Sequence, residues 1–360
     1  MSPDTRNPTL VPSKDQPPLP SNFSPVFLRN QFWTKIELPT RQKYPDVSGT
    51  SAIITGSNTG LGFEAARQLL SLGLSHLVMG VRSLTTGTAA ATRLQTANPT
   101  AKINVWQLDM ESYDSIQAFA AKCQDNLSRI DMVILNAGIS PLEFKTLPAT
   151  GHERTIQTNH ISTVLLAILM LPIMKSKSKD RGPTPSPPVL TVVNSVTAHL
   201  CKFPNRGRRP LLPSFDDTAI TPFDGQERYS VSKLLCQLFI VKLAELVDPN
   251  DVIINMVDPG LTKGTSLFRE LSGAVAIVAK AFFSLAGRPV RRGAATYVDA
   301  GLGHGKESHG CFLMNCQIAP LACWYYTDGE ILSDVIWKET LQELDFAGAE
   351  QIVSSMSSLK

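Results

Sequence analysis

A short buried strand that runs directly into a glycine-rich turn and then a helix constrains this chain more than any other feature. Ser51–Thr55 is an apolar run, Thr55-Gly56-Ser57-Asn58-Thr59-Gly60-Leu61-Gly62 follows it, and Glu64–Leu72 has helical spacing. Glycines at such a junction allow a tight turn and a close backbone approach by an anionic group. The helix N-terminus then offers free N–H groups to that anion. A glycine string alone says little, but at the start of a strand–turn–helix unit it is a strong sign of phosphate binding.

The rest of the chain repeats the alternation. Strands are expected at His76–Gly80, Ile103–Leu108, Met132–Leu135, Val189–Asn194 and Val252–Val257. Helices are expected at Thr85–Thr96, Tyr113–Cys123, Thr155–Met174 and Tyr229–Leu246. Apolar strands separated by helical segments imply an α/β fold, a single Rossmann-type doubly wound parallel sheet with helices on both faces. Residues 46–360 are assigned to this domain and 1–45 to an N-terminal extension. The start of the extension is polar and proline-rich, which predicts flexibility. Phe27, Leu28, Phe32, Trp33 and Ile36 make its second half apolar, which predicts packing on the domain, with contact to a membrane surface as the alternative. Lys175–Pro188 and Lys202–Gln226 interrupt the pattern and read as loops, the second solvated and carrying Arg206, Arg208 and Arg209.

Charge bears on partners. The chain of 360 residues carries a net charge of +3, too little to indicate nucleic acid or an anionic membrane. Six scattered cysteines lack metal-ligand spacing, and the histidines show none either, so no metal is expected. No signal-peptide pattern precedes the first strand, which together with the free thiols predicts a cytoplasmic location. Val164–Met174 is too short to span a bilayer and Lys280 interrupts the run Ala274–Leu285, so no transmembrane segment is expected.

Two further sites carry chemistry. The second strand ends in Gly80-Val81-Arg82-Ser83, with no carboxylate to bond a ribose 2′-hydroxyl. Arg82 is instead placed to pair with a 2′-phosphate, which predicts NADP(H) over NAD(H). Tyr229 and Lys233 stand four residues apart, one turn apart on one helix face. A phenol titrates near ~10 in water, and a nearby ammonium favours the phenolate, so the pair reads as a tuned proton donor and acceptor.

The GxxxGxG turn and the YxxxK pair together resemble the short-chain dehydrogenase/reductase family, over roughly residues 46–320. Further pieces fall in the family's order. Asp109 matches the acid that contacts adenine, and Asn136-Ala137-Gly138 matches the family's NAG motif. Asn159 matches the asparagine of the following helix, Ser195 the serine ending the fifth strand, and Pro259-Gly260 the motif beside the nicotinamide. Thr262 or Thr265 would contact the carboxamide. Asn58-Thr59-Gly60-Leu61-Gly62, Arg82 and Phe215-Asp216-Asp217 look most like the retinol-dehydrogenase-like branch. The extension with Phe27-Leu28 and Phe32 resembles fungal members of secondary-metabolite pathways. The 34 positions between Ser195 and Tyr229 exceed the family's usual interval, so the insertion must loop out.

The resemblance implies hydride transfer between a nicotinamide and a carbonyl or alcohol carbon. It gives Tyr229 the proton, Lys233 the tuning of the tyrosine and the ribose contact, Ser195 the substrate oxygen, and Asn159 a relay water. Cofactor contacts are implied for Gly56, Ser57, Asn58, Gly60, Leu61, Gly62, Arg82, Asp109, Asn136, Ala137, Gly138, Tyr229, Lys233, Pro259, Gly260 and Thr262. Leu261–Arg292 falls at the family's substrate lid, and its apolar residues from Leu267 to Leu285 predict a hydrophobic ketone, aldehyde or alcohol. Asn159–Met174 and Tyr229–Leu246 resemble the helices that pair in family homodimers. Rival readings are a non-catalytic dinucleotide-binding scaffold or sensor and a redox-neutral epimerase or dehydratase on the same fold.

Overall fold

The computed structural model of the protein describes residues 11–20, 22, 24–44, 46–178, 186–263 and 286–357. Eight strands form one sheet: β1 (Ser51–Thr55), β2 (His76–Val81), β3 (Lys102–Gln107), β4 (Met132–Leu135), β5 (Val189–Val193), β6 (Ile253–Asp258), β7 (Phe312–Met314) and β8 (Gln317–Ala319). Their order is β3-β2-β1-β4-β5-β6-β7-β8. All neighbours are parallel except the β7–β8 hairpin. The doubly wound parallel sheet expected from the sequence is therefore present. The three-residue strands β7 and β8 are too short to leave a period and were not anticipated.

Strands β1, β4 and β5 are buried at every position, as parallel strands covered on both faces must be. One face is covered by α1 (Gly60–Leu72), α2 (Leu84–Ala97) and α6 (Val290–Leu302), and the other by α3 (Tyr113–Asn126), α4 (Ser162–Ser176) and α5 (Gly225–Leu246). Helix α1 starts at Gly60, earlier than the apolar spacing suggested, because the glycine turn leads straight into it. Helix α5 starts at Gly225 rather than Tyr229, since the Asp224 side chain accepts from the N–H groups of Gln226 and Glu227 and caps the helix there.

Helix α4 continues a turn Arg154–Ile156 and a π turn Gln157–Ile161, giving 23 helical residues from Arg154 to Ser176. That length and its apolar content would suffice to cross a membrane. It is buried inside the protein, as a helix apolar on all sides requires. Two C-terminal helices, α7 (Gly329–Glu343) and α8 (Ala349–Met356), pack over α4 and α5 through Ile336, Leu341, Val353 and Met356. Trp337 stacks on Phe239 with ring centres 4.7 Å apart. The helix faces that resemble family pairing surfaces are thus covered by the chain's own C-terminal segment.

The interrupting segment 202–226 is anchored rather than solvated throughout. Phe203 and Phe215 are buried and stacked, Leu211 and Leu212 donate their N–H groups to the Glu339 carboxylate, and Arg228 pairs with Glu153 in the interior. Arg208 and Arg209 remain exposed, and Arg206 lies over Trp324. The extension packs only in part. Ile36 and Tyr44 are buried, whereas Leu28, Phe32 and Trp33 stay exposed.

Candidate active site

The glycine turn lies at the C-terminal end of β1, where open α/β sheets bind ligands. Gly56 adopts φ +63° and its N–H bonds the Gly80 carbonyl at 2.8 Å, tying the turn to β2. A Cβ on Gly62 would stand 2.6 Å from Asn136 Nδ2 and 2.8 Å from the Gly56 oxygen. The turn therefore admits no side chain there, because it packs tightly on Asn136 and on its own backbone. Thr59 does not cap α1 with its side chain, so the helix start can receive a phosphate. Ser57 is turned inward onto the Ile54 carbonyl, and Asn58 bonds Thr86 across to the start of α2. Leu61 lies against α6, where Gly293 leaves space for it and for Thr262.

Asn136 and Ala137 brace this turn. Asn136 Nδ2 donates to the carbonyls of Thr55 at 2.8 Å and Gly56 at 3.2 Å, and both backbone N–H groups donate to Thr55 Oγ1 at 2.9 Å. Gly138 lets two functional side chains approach. A Cβ there would lie 3.1 Å from Asn159 Oδ1 and 3.6 Å from Lys233 Nζ.

At the far end of β2, Arg82 Nη1 lies 3.1 Å from Glu111 Oε1. Arg154 holds the same oxygen from Nε at 2.9 Å and Nη2 at 2.8 Å. Asp109 Oδ1 accepts from the Glu111 N–H at 3.0 Å, so the acid expected at the adenine also shapes the turn that carries Glu111. Glu111 and Arg154 were not anticipated, since ion pairing across two loops leaves no local pattern.

Asn159, Ser195, Tyr229 and Lys233 converge where β4, β5 and α5 meet. Asn159, in the π turn, is fully buried. It bonds Ile139 through both N–H and C=O and donates to Ser232 Oγ at 3.0 Å. Ser195 Oγ accepts from Thr197 N at 3.2 Å and Thr197 Oγ1 at 3.0 Å. Its own hydroxyl hydrogen is then available for the bond it makes with Tyr229. Lys233 is buried and donates from Nζ to the Val193 carbonyl at 2.9 Å, with the ammonium 5.7 Å from the centre of the Tyr229 ring.

The surroundings of Tyr229 act on its proton in opposite directions. Burial pushes the phenol above its ordinary range, the Ser195 bond pulls it down, and the Asp258 carboxylate adds to the rise. The lysine's ammonium is directed at Val193, and burial lowers its own pKa.

Beyond β6, Asp258 ties two loops together. Oδ1 accepts from Val196 N and Oδ2 from Gly260 N, each at 3.0 Å. Burial raises its pKa, against the hydrogen bonds to Val196 and the positive charge of Arg288. Pro259 and Gly260 form the turn, with φ +71° at Gly260, and the Thr262 hydroxyl is engaged with the Gly260 carbonyl at 3.0 Å. Thr265 and the apolar residues from Leu267 to Leu285 lie outside the described residues.

A short chain dehydrogenase profile matches residues 50–182. The chain is 49% identical to the short chain dehydrogenase/reductase mfmJ of Annulohypoxylon moriforme, over 96% of this chain and 99% of that one. It is 45% identical to the short chain dehydrogenase virL of Hypocrea virens, over 92% and 94%. Its fold is similar to the crystal structure of an NADPH-dependent 3-quinuclidinone reductase from Rhodotorula rubra, with a TM-score of 0.56 and 21% identity over 80% of this chain and 97% of that one. With relatives this close along nearly its whole length, the chain belongs to the short-chain dehydrogenase/reductase family of oxidoreductases.

Proposed function

We propose that the protein is an NADP(H)-dependent oxidoreductase acting on a hydrophobic ketone, aldehyde or alcohol. The observation that carries this reading is the convergence of Asn159, Ser195, Tyr229 and Lys233 beside a backbone-lined phosphate cradle. A scaffold without turnover has no use for a buried, hydrogen-bonded serine–tyrosine pair next to a buried ammonium. The glycine turn at the C-terminal end of β1, leading straight into α1, suits a dinucleotide's pyrophosphate. Arg82 fits its 2′-phosphate, and the NADPH dependence in the name of the Rhodotorula rubra reductase supports the same choice.

Bound NADP(H) would supply the hydride, which no side chain can. The chain's own residues supply binding and proton management. Ser195 directs its hydroxyl at the oxygen that gains charge as the carbonyl is reduced. Tyr229 holds the proton that this oxygen receives, and its raised proton affinity keeps it in the donor form. Lys233 and Asn159 fix the base of α5 against β5 and the π turn, holding Tyr229 in place. The apolar residues of Leu261–Arg292 are the support for an apolar substrate.

The test is a screen of lipophilic carbonyls and alcohols with NADP(H) and NAD(H) in parallel, following nicotinamide absorbance. Net oxidation of NADPH by a lipophilic carbonyl is expected. Tight NADPH binding with no turnover would favour a sensor, and product without net cofactor oxidation would favour redox-neutral chemistry.

A further inference from the structure

The N-terminal extension reaches the turn that carries Gly260 and Thr262. Residues Ser24–Leu28 form a short helix that runs into a π turn, Arg29–Trp33. Gln31 projects inward from it and is only 8% exposed. Its single amide nitrogen donates to two carbonyls, Leu261 at 2.8 Å and Ala286 at 2.8 Å. An amide nitrogen carries two hydrogens, so both bonds are made without compromise, and no other uncharged side chain of this length supplies two donors from one atom.

The same turn is held from other sides. Arg288 N donates to the Leu261 carbonyl at 2.8 Å, and Lys263 N donates to the Arg288 carbonyl at 3.0 Å. Both lone pairs of the Leu261 oxygen are therefore used, one by Arg288 and one by Gln31. The Arg288 guanidinium lies against Gly260, where a Cβ would come within 2.7 Å of Nη1, and it bonds the carbonyls of Pro259 and Asn30 and the Asn315 side chain. Through Asp258 the turn is linked in turn to Val196, the neighbour of Ser195. Phe27 lines the same cleft as Val196 and Leu261.

We propose that the extension supports the reaction site: Gln31 is a positioning residue that fixes the Gly260–Thr262 turn, while Phe27 packs beside that turn. The inference rests on the oxidoreductase reading above. Removing the Gln31 donors takes this bond from the buried Ala286 carbonyl and leaves Leu261 held by Arg288 N alone, which loosens the turn, while Tyr229, Ser195 and the glycine turn keep their own anchors.

The test uses the full chain with Gln31→Met, which keeps the volume and removes both donors, and Phe27→Ala, which leaves the polar bonds intact. Hydrogen exchange is measured on peptides covering residues 259–263 without ligands, alongside thermal melting and steady-state kinetics with NADPH and a lipophilic carbonyl. Gln31→Met is expected to speed exchange at this turn about tenfold and to raise KM for the carbonyl about fivefold with kcat within about twofold. Phe27→Ala is expected to leave exchange at this turn unchanged. Unchanged exchange and KM in Gln31→Met, or a loss of kcat that merely follows the folded fraction, would overturn the proposal. The exchange measurement needs no substrate, so it judges the hold of Gln31 on the turn independently of whether the oxidoreductase reading stands.

Discussion

Lys233 donates from Nζ to the carbonyl oxygen of Val193 at 2.9 Å, which pins the fourth residue after Tyr229 to the end of β5. The bond fixes the angle at which α5 presents the tyrosine. Burial raises the proton affinity of Tyr229 and its bond to Ser195 lowers it.

A protonated tyrosine is the form that can donate the proton when a carbonyl is reduced. Because burial raises the Tyr229 pKa, kcat/KM for reduction is expected to stay level through neutral pH and to fall only in the alkaline range where the phenol ionises. A pH–rate profile with its basic limb centred near neutrality would contradict this.

Arg82 and Glu111 are within hydrogen-bond distance, so a 2′-phosphate must compete for a guanidinium that is already partnered. Arg82→Ala is expected to weaken NADPH binding roughly 10- to 100-fold and leave NADH binding nearly unchanged. Fluorescence titration of both cofactors checks it, and equal losses for the two would place Arg82 outside the phosphate site.

His152 bridges Asp216 at 3.0 Å and Glu343 at 3.3 Å, joining the 202–226 segment to α7. Burial alone would lower the imidazole's pKa, but the two carboxylates outweigh it and raise it to about 9, above the ordinary 6.5. The folded state thus binds the proton more tightly than the unfolded chain does. The resulting stabilisation is complete below about pH 6.5 and is lost as pH rises through about 9. Melting followed from pH 6 to 10 should show a step of about 2 °C or more that His152→Gln flattens. Parallel curves for the two proteins would refute the assignment.

The cover over α4 and α5 makes a further prediction. Ile336 faces that interface with no exposure, whereas Ile331 on the same helix is 65% exposed. Ile336→Ala should cost about 2–5 kcal/mol in denaturant unfolding and Ile331→Ala under about 0.5 kcal/mol. Light scattering should return the mass of one chain. A dimer whose cross-links map to α4 and α5 would show that α7 and α8 do not hold that face.

The parts of this fold that repeat a local period were readable from the sequence. Strands β1 to β6 and the helices between them are apolar runs or helical faces, and the glycine turn carries its own steric logic. Asn159, Ser195, Tyr229 and Lys233 were readable as a family pattern. What escaped was contact between distant segments. Glu111 meets Arg82 and Arg154 only once three loops are folded together, and Gln31 meets Leu261 and Ala286 across more than two hundred positions. Asp258 sits one residue before the Pro259-Gly260 pair, yet its role follows from two backbone N–H groups that no spacing encodes. Four residues of separation place Lys233 on the right helix face, but the direction of its ammonium depends on a carbonyl at the end of β5.

The central claim is that Tyr229 transfers the proton that accompanies hydride transfer. Tyr229→Phe removes that proton and little else, because the ring keeps its packing. Turnover of a lipophilic carbonyl with NADPH, measured beside NADPH affinity in the same preparation, tests it most directly. The account predicts a loss of about 10²- to 10⁴-fold in kcat with the Kd for NADPH within about twofold. Turnover retained within about tenfold of the unaltered protein would contradict it.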